Sequence, residues 1–337
     1  MQEYFFFFIF LLINFFIVLN IDYFSKKIKI FDIPDNIRKL HSKPIFLGGG
    51  LILYCNYVLV VILNSYFEFS NSKLLQINDY TSFVTWFAVP SALFIVGLID
   101  DKFNLTPFIK LLLLAVIYLF AIFNDRTLLI SEINLISYNY IHYLGSLSLL
   151  FTLFSFLIFT NAFNMLDGID LNAGIYTLVV FFFILLKNNL NFNVMLISIS
   201  ILFFLYLNFK NKVFLGDSGA NLMSCIIAIL LIKNFNNDLF KSDEILMIML
   251  MPGIEIIRLF YLRILKKKNP FKPDRNHLHY LIIDKFKPRN IQHYTVSVLI
   301  NIFFASFSCL FFFYNTHLLF LMVIVLYLTL IKFFSKN

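Results

Sequence analysis

The residues able to do chemistry gather in four short polar stretches set between long runs of Phe, Leu and Ile. They are Asp100-Asp101-Lys102-Phe103-Asn104, Asn161–Asp170, Phe214–Gly219 and Pro273–His279. A carboxylate beside a membrane-depth segment is costly to desolvate, so acids placed there are functional candidates by default. Asp100 and Asp101 are an adjacent pair. Such a pair either marks an interfacial helix end or approaches a divalent cation that carries phosphate oxygens, because Mg²⁺ commonly takes one or two carboxylates plus phosphates and water. Lys110 follows at the start of the next apolar run, where a lysine on its own reads as a snorkelling side chain.

Asn161, Asn164, Asp167 and Asp170 recur at every third position. On a helix this spacing lines amides and carboxylates along one face; the rival reading is a plain polar helix end. Gly168 would allow close backbone approach. Asp217 lies between Gly216 and Gly219 just before an apolar run. Backbone amides at a helix start can face phosphate oxygens, or Asp217 is an ordinary N-cap. Phe214 either stacks on a base or packs. In the basic segment 263–293 the lysine run fits topology or attraction to anionic lipid. Arg275, His277 and His279 suit donation to phosphate or sugar oxygens, since no Cys or Glu completes a zinc set.

These stretches need elements to carry them. A soluble domain has about a quarter charged residues, whereas this 337-residue chain has 14%, with 60% hydrophobic residues and 46 Phe. Spanning a membrane takes about 20 apolar residues. Eleven such runs are predicted, with ten as the alternative count: roughly 4–20, 46–64, 83–99, 106–123, 142–160, 171–186, 194–209, 219–234, 244–262, 294–313 and 317–334. The expectation is an all-α polytopic integral membrane protein with a single transmembrane domain over 1–337, residues 263–293 being a cytoplasmic loop within it. The first run begins with acidic Glu3 and lacks a basic leader region or small-residue cleavage site, so a span is expected there. Cys55, Cys225 and Cys309 all sit in apolar runs and read as core residues. No internal repeat is visible.

The net charge of +8 is explained by topology before nucleic acid, and no nucleic-acid partner is expected. With eleven spans, only Lys73, Arg126, Lys187, Lys233 and Lys241 of the 27 Lys and Arg fall on one side. The positive-inside rule then places the N-terminus outside and the C-terminus in the cytoplasm. All four polar stretches share the cytoplasmic face with the basic loop Asp32–Pro44, so the active site is expected there.

Taken together, these motifs resemble the polyprenyl-phosphate N-acetylhexosamine-1-phosphate transferases, the membrane glycosyltransferase family 4. The resemblance runs from about Asp32 to Leu281 and keeps its order: Asp-x-Pro…Arg-Lys-x-His, Asp-Asp, Asn-x-x-Asn-x-x-Asp-Gly-x-Asp, Phe-x-Gly-Asp-x-Gly, then the His loop. The form at Pro270–His279 is similar to the branch acting on UDP-N-acetylglucosamine rather than the phospho-N-acetylmuramoyl-pentapeptide branch. The resemblance implies that Asp217 and Asn164 ligate Mg²⁺, with Mn²⁺ as an alternative, and that Phe214 stacks on uracil beside Asp170. It implies that Lys110 neutralises phosphate, that Asp100 and Asp101 lie at the reaction centre, and that Asp167 belongs to the same acidic site. Arg275, His277 and His279 would hold pyrophosphate or sugar, with Lys43 among the substrate-binding residues. The implied substrates are a UDP-N-acetylhexosamine and a polyprenyl phosphate, and the implied setting is the bacterial cytoplasmic membrane; a homodimer is compatible with it.

Two departures stand out. The family usually continues Gly-Leu-Ala after the position of Asp170, where this chain has Leu171-Asn172-Ala173-Gly174, and Tyr280 stands where a second adjacent His is usual. A phenol titrates far above neutrality, so Tyr280 is not expected to exchange protons. The rival classes are a multipass transporter or lipid flippase, which would spread acids through membrane depth, and a Mg²⁺-dependent prenyltransferase of aromatic substrates. The latter leaves both Phe-x-Gly-Asp-x-Gly and His-x-His unexplained.

Overall fold

In lipid a spanning segment must satisfy its own backbone polar groups, which restricts it to helices or closed barrels. The apolar runs of this chain fold as helices. The structure, a computed structural model, describes residues 2–34, 43–67, 74–136, 140–269, 274–286, 292–314 and 317–335. Arg38, Lys39 and His41 of the first basic motif, and residues 270–273 of the last, lie outside the described residues.

Helices α1 (Gln2–Leu19) and α2 (Ile21–Ile28) form a pair bent by 65°. Next come α3 (Gly49–Phe67) and a continuous 24-residue span, Tyr80–Phe103, made of α4 (Tyr80–Phe83), a π turn (Val84–Ala88) and α5 (Val89–Phe103). Then follow α6 (Pro107–Asn124), α7 (Ser148–Leu166), α8 (Asn172–Lys187), α9 (Phe192–Phe209) and α10 (Gly216–Asn236). A second pair, α11 (Ser242–Ile248) and α12 (Leu250–Leu265), bends by 70°. Helices α13 (Leu278–Phe286), α14 (His293–Tyr314) and α15 (Leu318–Ser335) complete the chain. Two short antiparallel hairpins, β1 (Phe31–Asp32) with β2 (Ile45–Phe46) and β3 (Glu132–Leu135) with β4 (Tyr140–Tyr143), are the sheets of the described residues.

Among the described residues eight helices are long and apolar enough to span, or ten if each bent pair counts once. The one further expected span, the sixth run at 171–186, is α8, a shorter apolar helix. The fold is all-α and polytopic. Residues 263–293 are not only a loop: α12 runs into this stretch and α13 lies within it.

Helix α10 is the axis of the bundle. Its apolar window is 94% buried, against 11% for the peripheral Leu318–Ser335. It packs against α3, α5, α7 and α8, and its small residues let neighbours approach closely, as membrane helix interfaces favour. A Cβ at Gly97 of α5 would lie 2.3 Å from the Ser218 Cα. That contact brings the Asp100-Asp101 end of α5 onto the start of α10. At the other end of α10, Lys233 pairs with buried Asp125 at 2.8 Å and the Asn236 amide donates to the Thr127 carbonyl at 2.6 Å. The nearby Lys187–Glu244 and Lys241–Asp238 pairs come from the same sparse set of cations. The two charge sets assigned to opposite faces therefore do not mix along the axis helix.

Candidate active site

The polar stretches converge on one cavity of about 900 Å³ at the Gly216 end of α10. Asp100, Asp101, Lys110, Asn164, Asp167, Asp170, Phe214, Asp217, His277, His279 and Lys43 all line it. Its size falls within the usual range for ligand pockets.

The first wall comes from α5, α6 and the start of α10. Asp101 accepts the backbone N–H groups of Asp217 at 2.7 Å and Ser218 at 3.1 Å, so its carboxylate caps α10. This satisfies donors that a helix start leaves open and sets a negative charge at the positive end of its dipole. Gly216 makes the entry possible: its φ is +73°, and a Cβ there would lie 2.8 Å from an Asp101 oxygen. The amides expected to face phosphate are thus engaged by Asp101. Asp217 is not an N-cap, because its side chain pairs with Lys110. Lys110 also meets Asp100 at 2.8 Å, so one ammonium bridges two carboxylates from different helices. The other oxygen of Asp100 accepts the Leu105 N–H at 2.8 Å, which holds the α5–α6 turn.

Backbone bonds fix the approach to α10. Phe214 donates its N–H to the Phe46 carbonyl at 2.9 Å, and Gly49 and Gly50 donate to the carbonyls of Phe214 and Leu215, each at 2.9 Å. Lys43, just before β2, is exposed at the rim.

The second wall is the end of α7. The expected helical stripe holds for Asn161 and Asn164 but stops at Asp167, the C-cap residue. Asp170 lies beyond, in the turn leading to α8. Leu171 has φ 68°, a left-handed conformation costly for a branched side chain, where the usual glycine would fit freely. Desolvation, with the neighbouring charges of Asp217, Asp170 and Asp101, holds the Asp167 carboxyl well above the usual carboxylate range.

The third wall is the His segment. Gly168 allows it to dock, since a Cβ there would lie 2.5 Å from His279 Nε2. Tyr280 donates its hydroxyl to the Gly168 carbonyl at 2.9 Å, a tether that a third imidazole would not reproduce in the same place. Burial lowers the His277 pKa to about 4 and drives that of His279 well below its ordinary value. Both rings are neutral at neutral pH. Nδ1 of His277 lies 3.7 Å from a Glu255 carboxylate oxygen, and Nε2 of His279, packed against Gly168, is buried without a hydrogen-bond partner.

Arg275 does not line the cavity. Its guanidinium pairs with Asp284 at 2.7 Å and lies over the Tyr280 ring at 4.8 Å. Arg263, read from the sequence only as part of the basic segment, lines the cavity instead and pairs with Asp274 at 3.0 Å. Burial opposes ionisation of Asp274, yet Arg263 and the Asn276 N–H hold its pKa down at about 2.

Sequence reasoning also missed the support behind this segment. Buried Glu255 pairs with Arg258 at 2.9 Å, accepts the Leu278 N–H at 2.7 Å and contacts the Tyr327 hydroxyl. Arg258 also donates to the Asn276 carbonyl at 2.8 Å. A Glu and an Arg three apart in an apolar helix were the available signal, since charges at that depth need partners. Asn208, Asn221 and His293 carried no motif.

The donor set fits a hard divalent cation. Asn164 Oδ1 is buried without a hydrogen-bond partner, while its amide nitrogen reaches Asn221 one turn along α10 from Asp217. The crowding that raises Asp167 is what added positive charge would relieve. Among the described residues no three His, Cys, Asp or Glu side chains form a metal group. A cation here would therefore keep water or substrate oxygens, as Mg²⁺ prefers.

The sequence itself is similar to known proteins. Residues 83–234 match the model of glycosyl transferase family 4. The undecaprenyl-phosphate alpha-N-acetylglucosaminyl 1-phosphate transferase of Thermotoga maritima is 30% identical over 276 residues, covering 81% of this chain and 80% of that protein. The protein of the same description from Escherichia coli is 27% identical over 272 residues, 77% of this chain and 70% of its own. That of Pasteurella multocida is 29% identical over 273 residues, with 77% and 72% covered.

Proposed function

The chain belongs to glycosyl transferase family 4, and from that premise we propose that it transfers N-acetylglucosamine 1-phosphate from UDP-N-acetylglucosamine to undecaprenyl phosphate or a similar polyprenyl phosphate. It is a membrane-embedded phosphosugar transferase, and this reaction would begin assembly of a cell-surface glycan. The observation that carries the reading is the Lys110 ammonium seated between Asp100 and Asp217 in a cavity that also holds Asn164, Asp170, Phe214 and the His pair.

A lipid phosphate oxygen attacks the phosphorus that bears the sugar. The bond from that phosphorus to the bridging oxygen breaks, UMP leaves with its electron pair, and a new pyrophosphate joins lipid to sugar. The attacking phosphate monoester has its second pKa near 6, so at neutral pH it is mostly dianionic and needs no strong base. The obstacle is charge. Two like unit charges at about 4 Å repel by roughly 4 kcal/mol at an effective dielectric near 20. Lys110 offsets this repulsion at the junction of the two phosphates, and Arg263 brings a second cation to the wall. Mg²⁺ held by Asp217 and Asn164 would supply further neutralisation of the pyrophosphate. Asp101 keeps the start of α10 in place, and Asp100 holds Lys110 and can accept a residual proton. Phe214 offers a face to uracil, while His277 and His279 donate from neutral rings to sugar or phosphate oxygens.

Purified protein given polyprenyl phosphate, Mg²⁺ and a panel of UDP-sugars should release UMP, fastest with UDP-N-acetylglucosamine. No UMP from any of them would overturn the assignment.

The site faces the cytoplasm, where UDP-sugars are made, with the N-terminus outside, in a bacterial cytoplasmic membrane. The charge asymmetry and the clustering of Lys187, Lys233 and Lys241 away from the cavity support this. A reporter inserted after Lys268 should read cytoplasm and one inserted after Asp238 should read outside. The reverse pattern would sink the orientation.

A further inference from the structure

Asp170 is gripped from two elements distant in sequence. Imidazole Nε2 of His293, the first residue of α14, contacts its Oδ2. The Asn208 amide at the end of α9 approaches its Oδ1 at 3.4 Å. One turn along α14, the buried Ser297 hydroxyl donates to the Asp170 carbonyl at 2.6 Å. Asn208 also accepts the Leu171 N–H at 2.7 Å, which steadies the left-handed residue after Asp170. His293 lines the cavity beside Asp170.

An ionised carboxylate only accepts, so the His293 and Asn208 contacts are donors to it. They occupy part of its roughly four lone-pair sites and leave the rest for a ligand N–H. The rotamer is fixed before anything binds, which cuts the ordering cost of recognition. The uracil edge offers an N–H flanked by two carbonyls. Cytosine places a bare acceptor at that central position, which a fixed carboxylate repels.

We propose that His293 is the positioning residue of the nucleobase subsite: it aims the Asp170 carboxylate at the uracil N–H, so that α14 contributes to the choice of uridine nucleotides. The proposal rests on the reading that the donor is a UDP-sugar with its base beside Asp170. The experiment pairs calorimetric UMP and CMP binding with steady-state kinetics on the full chain in detergent, for wild type, His293→Ala and His293→Gln.

His293→Ala should weaken UMP binding and raise the KM for UDP-sugar by roughly 10- to 100-fold, the scale of a hydrogen bond to a charged group. The KM for polyprenyl phosphate should move less than about 2-fold, and kcat should fall less than KM rises. Preference for UMP over CMP should shrink, and His293→Gln, which keeps an N–H at the same reach, should recover most of the loss. Wild-type UMP affinity in His293→Ala would overturn the proposal. So would an equal loss in both KM values and kcat without rescue by Gln, the signature of damaged folding. Wild-type protein that binds UMP but never turns over would remove the transferase reading and leave the His293 result standing; wild type that does not bind UMP would remove both.

Discussion

Asp217→Asn should lower UMP release by at least roughly 10³-fold, about 4 kcal/mol in activation free energy at 1.36 kcal/mol per decade. The substitution keeps shape and removes charge. In the structure Asp217 does two things: it pairs with Lys110, and it stands one helical turn from Asn221, which receives the Asn164 amide. An asparagine at 217 leaves Lys110 with Asp100 as its carboxylate partner and weakens the site for a hard cation, whose Lewis-acid role is worth several kcal/mol. Folding should survive, because α10 is capped by Asp101 through backbone amides rather than by the Asp217 side chain. The check is turnover against Mg²⁺ concentration, beside a gel-filtration profile of the variant in detergent. Full activity at low Mg²⁺ would remove Asp217 from any metal-holding role.

The capping bond also shows how far local sequence reaches. Asp100 and Asp101 look equivalent in the chain, yet α5 turns one toward Lys110 and the other onto the α10 amides. Which acid does which depends on the Gly97–Ser218 approach, a contact between residues far apart in sequence. The convergence itself was legible. Costly polar groups at the ends of apolar runs must gather where water or ligand reaches them, and alternating the spans put the motifs on one face.

The bends were not legible: the α11–α12 pair reads as one apolar run, 244–262, and α2 lies past the first run, 4–20, in the basic loop, so only packing reveals either break. The i, i+3 rule carried Asn161 and Asn164 but overran the helix end at Asp167. Arg275 sits inside the motif and Arg263 outside it, yet Arg263 lines the cavity, since helix α12 aims it while Asp284 engages Arg275. The Glu255–Arg258–Tyr327 node and the His293 contact join residues whose pairing no spacing rule announces.

Lys110→Ala should slow the reverse reaction as strongly as the forward one, and this separates transfer from transport. One pyrophosphate linkage breaks and one forms, so the reaction lies near equilibrium and labelled UMP should exchange into UDP-N-acetylglucosamine when lipid-linked product, Mg²⁺ and enzyme are present. Lys110 is the ammonium that touches both Asp100 and Asp217, and in the proposed reaction attacking and leaving phosphates come together beside it. Removing one unit charge at about 4 Å forfeits roughly 4 kcal/mol at an effective dielectric near 20. Screening by water in the open cavity reduces that, so a loss of roughly 10²- to 10³-fold is expected in both directions. Lys110→Arg should restore only part, because a planar guanidinium cannot sit as a point charge between two carboxylates. A transporter has no bond to remake and would support no exchange. Wild-type protein that shows no exchange under these conditions would rule out reversible phosphosugar transfer. Exchange undiminished in Lys110→Ala would instead keep the reaction and strip Lys110 of its part in it.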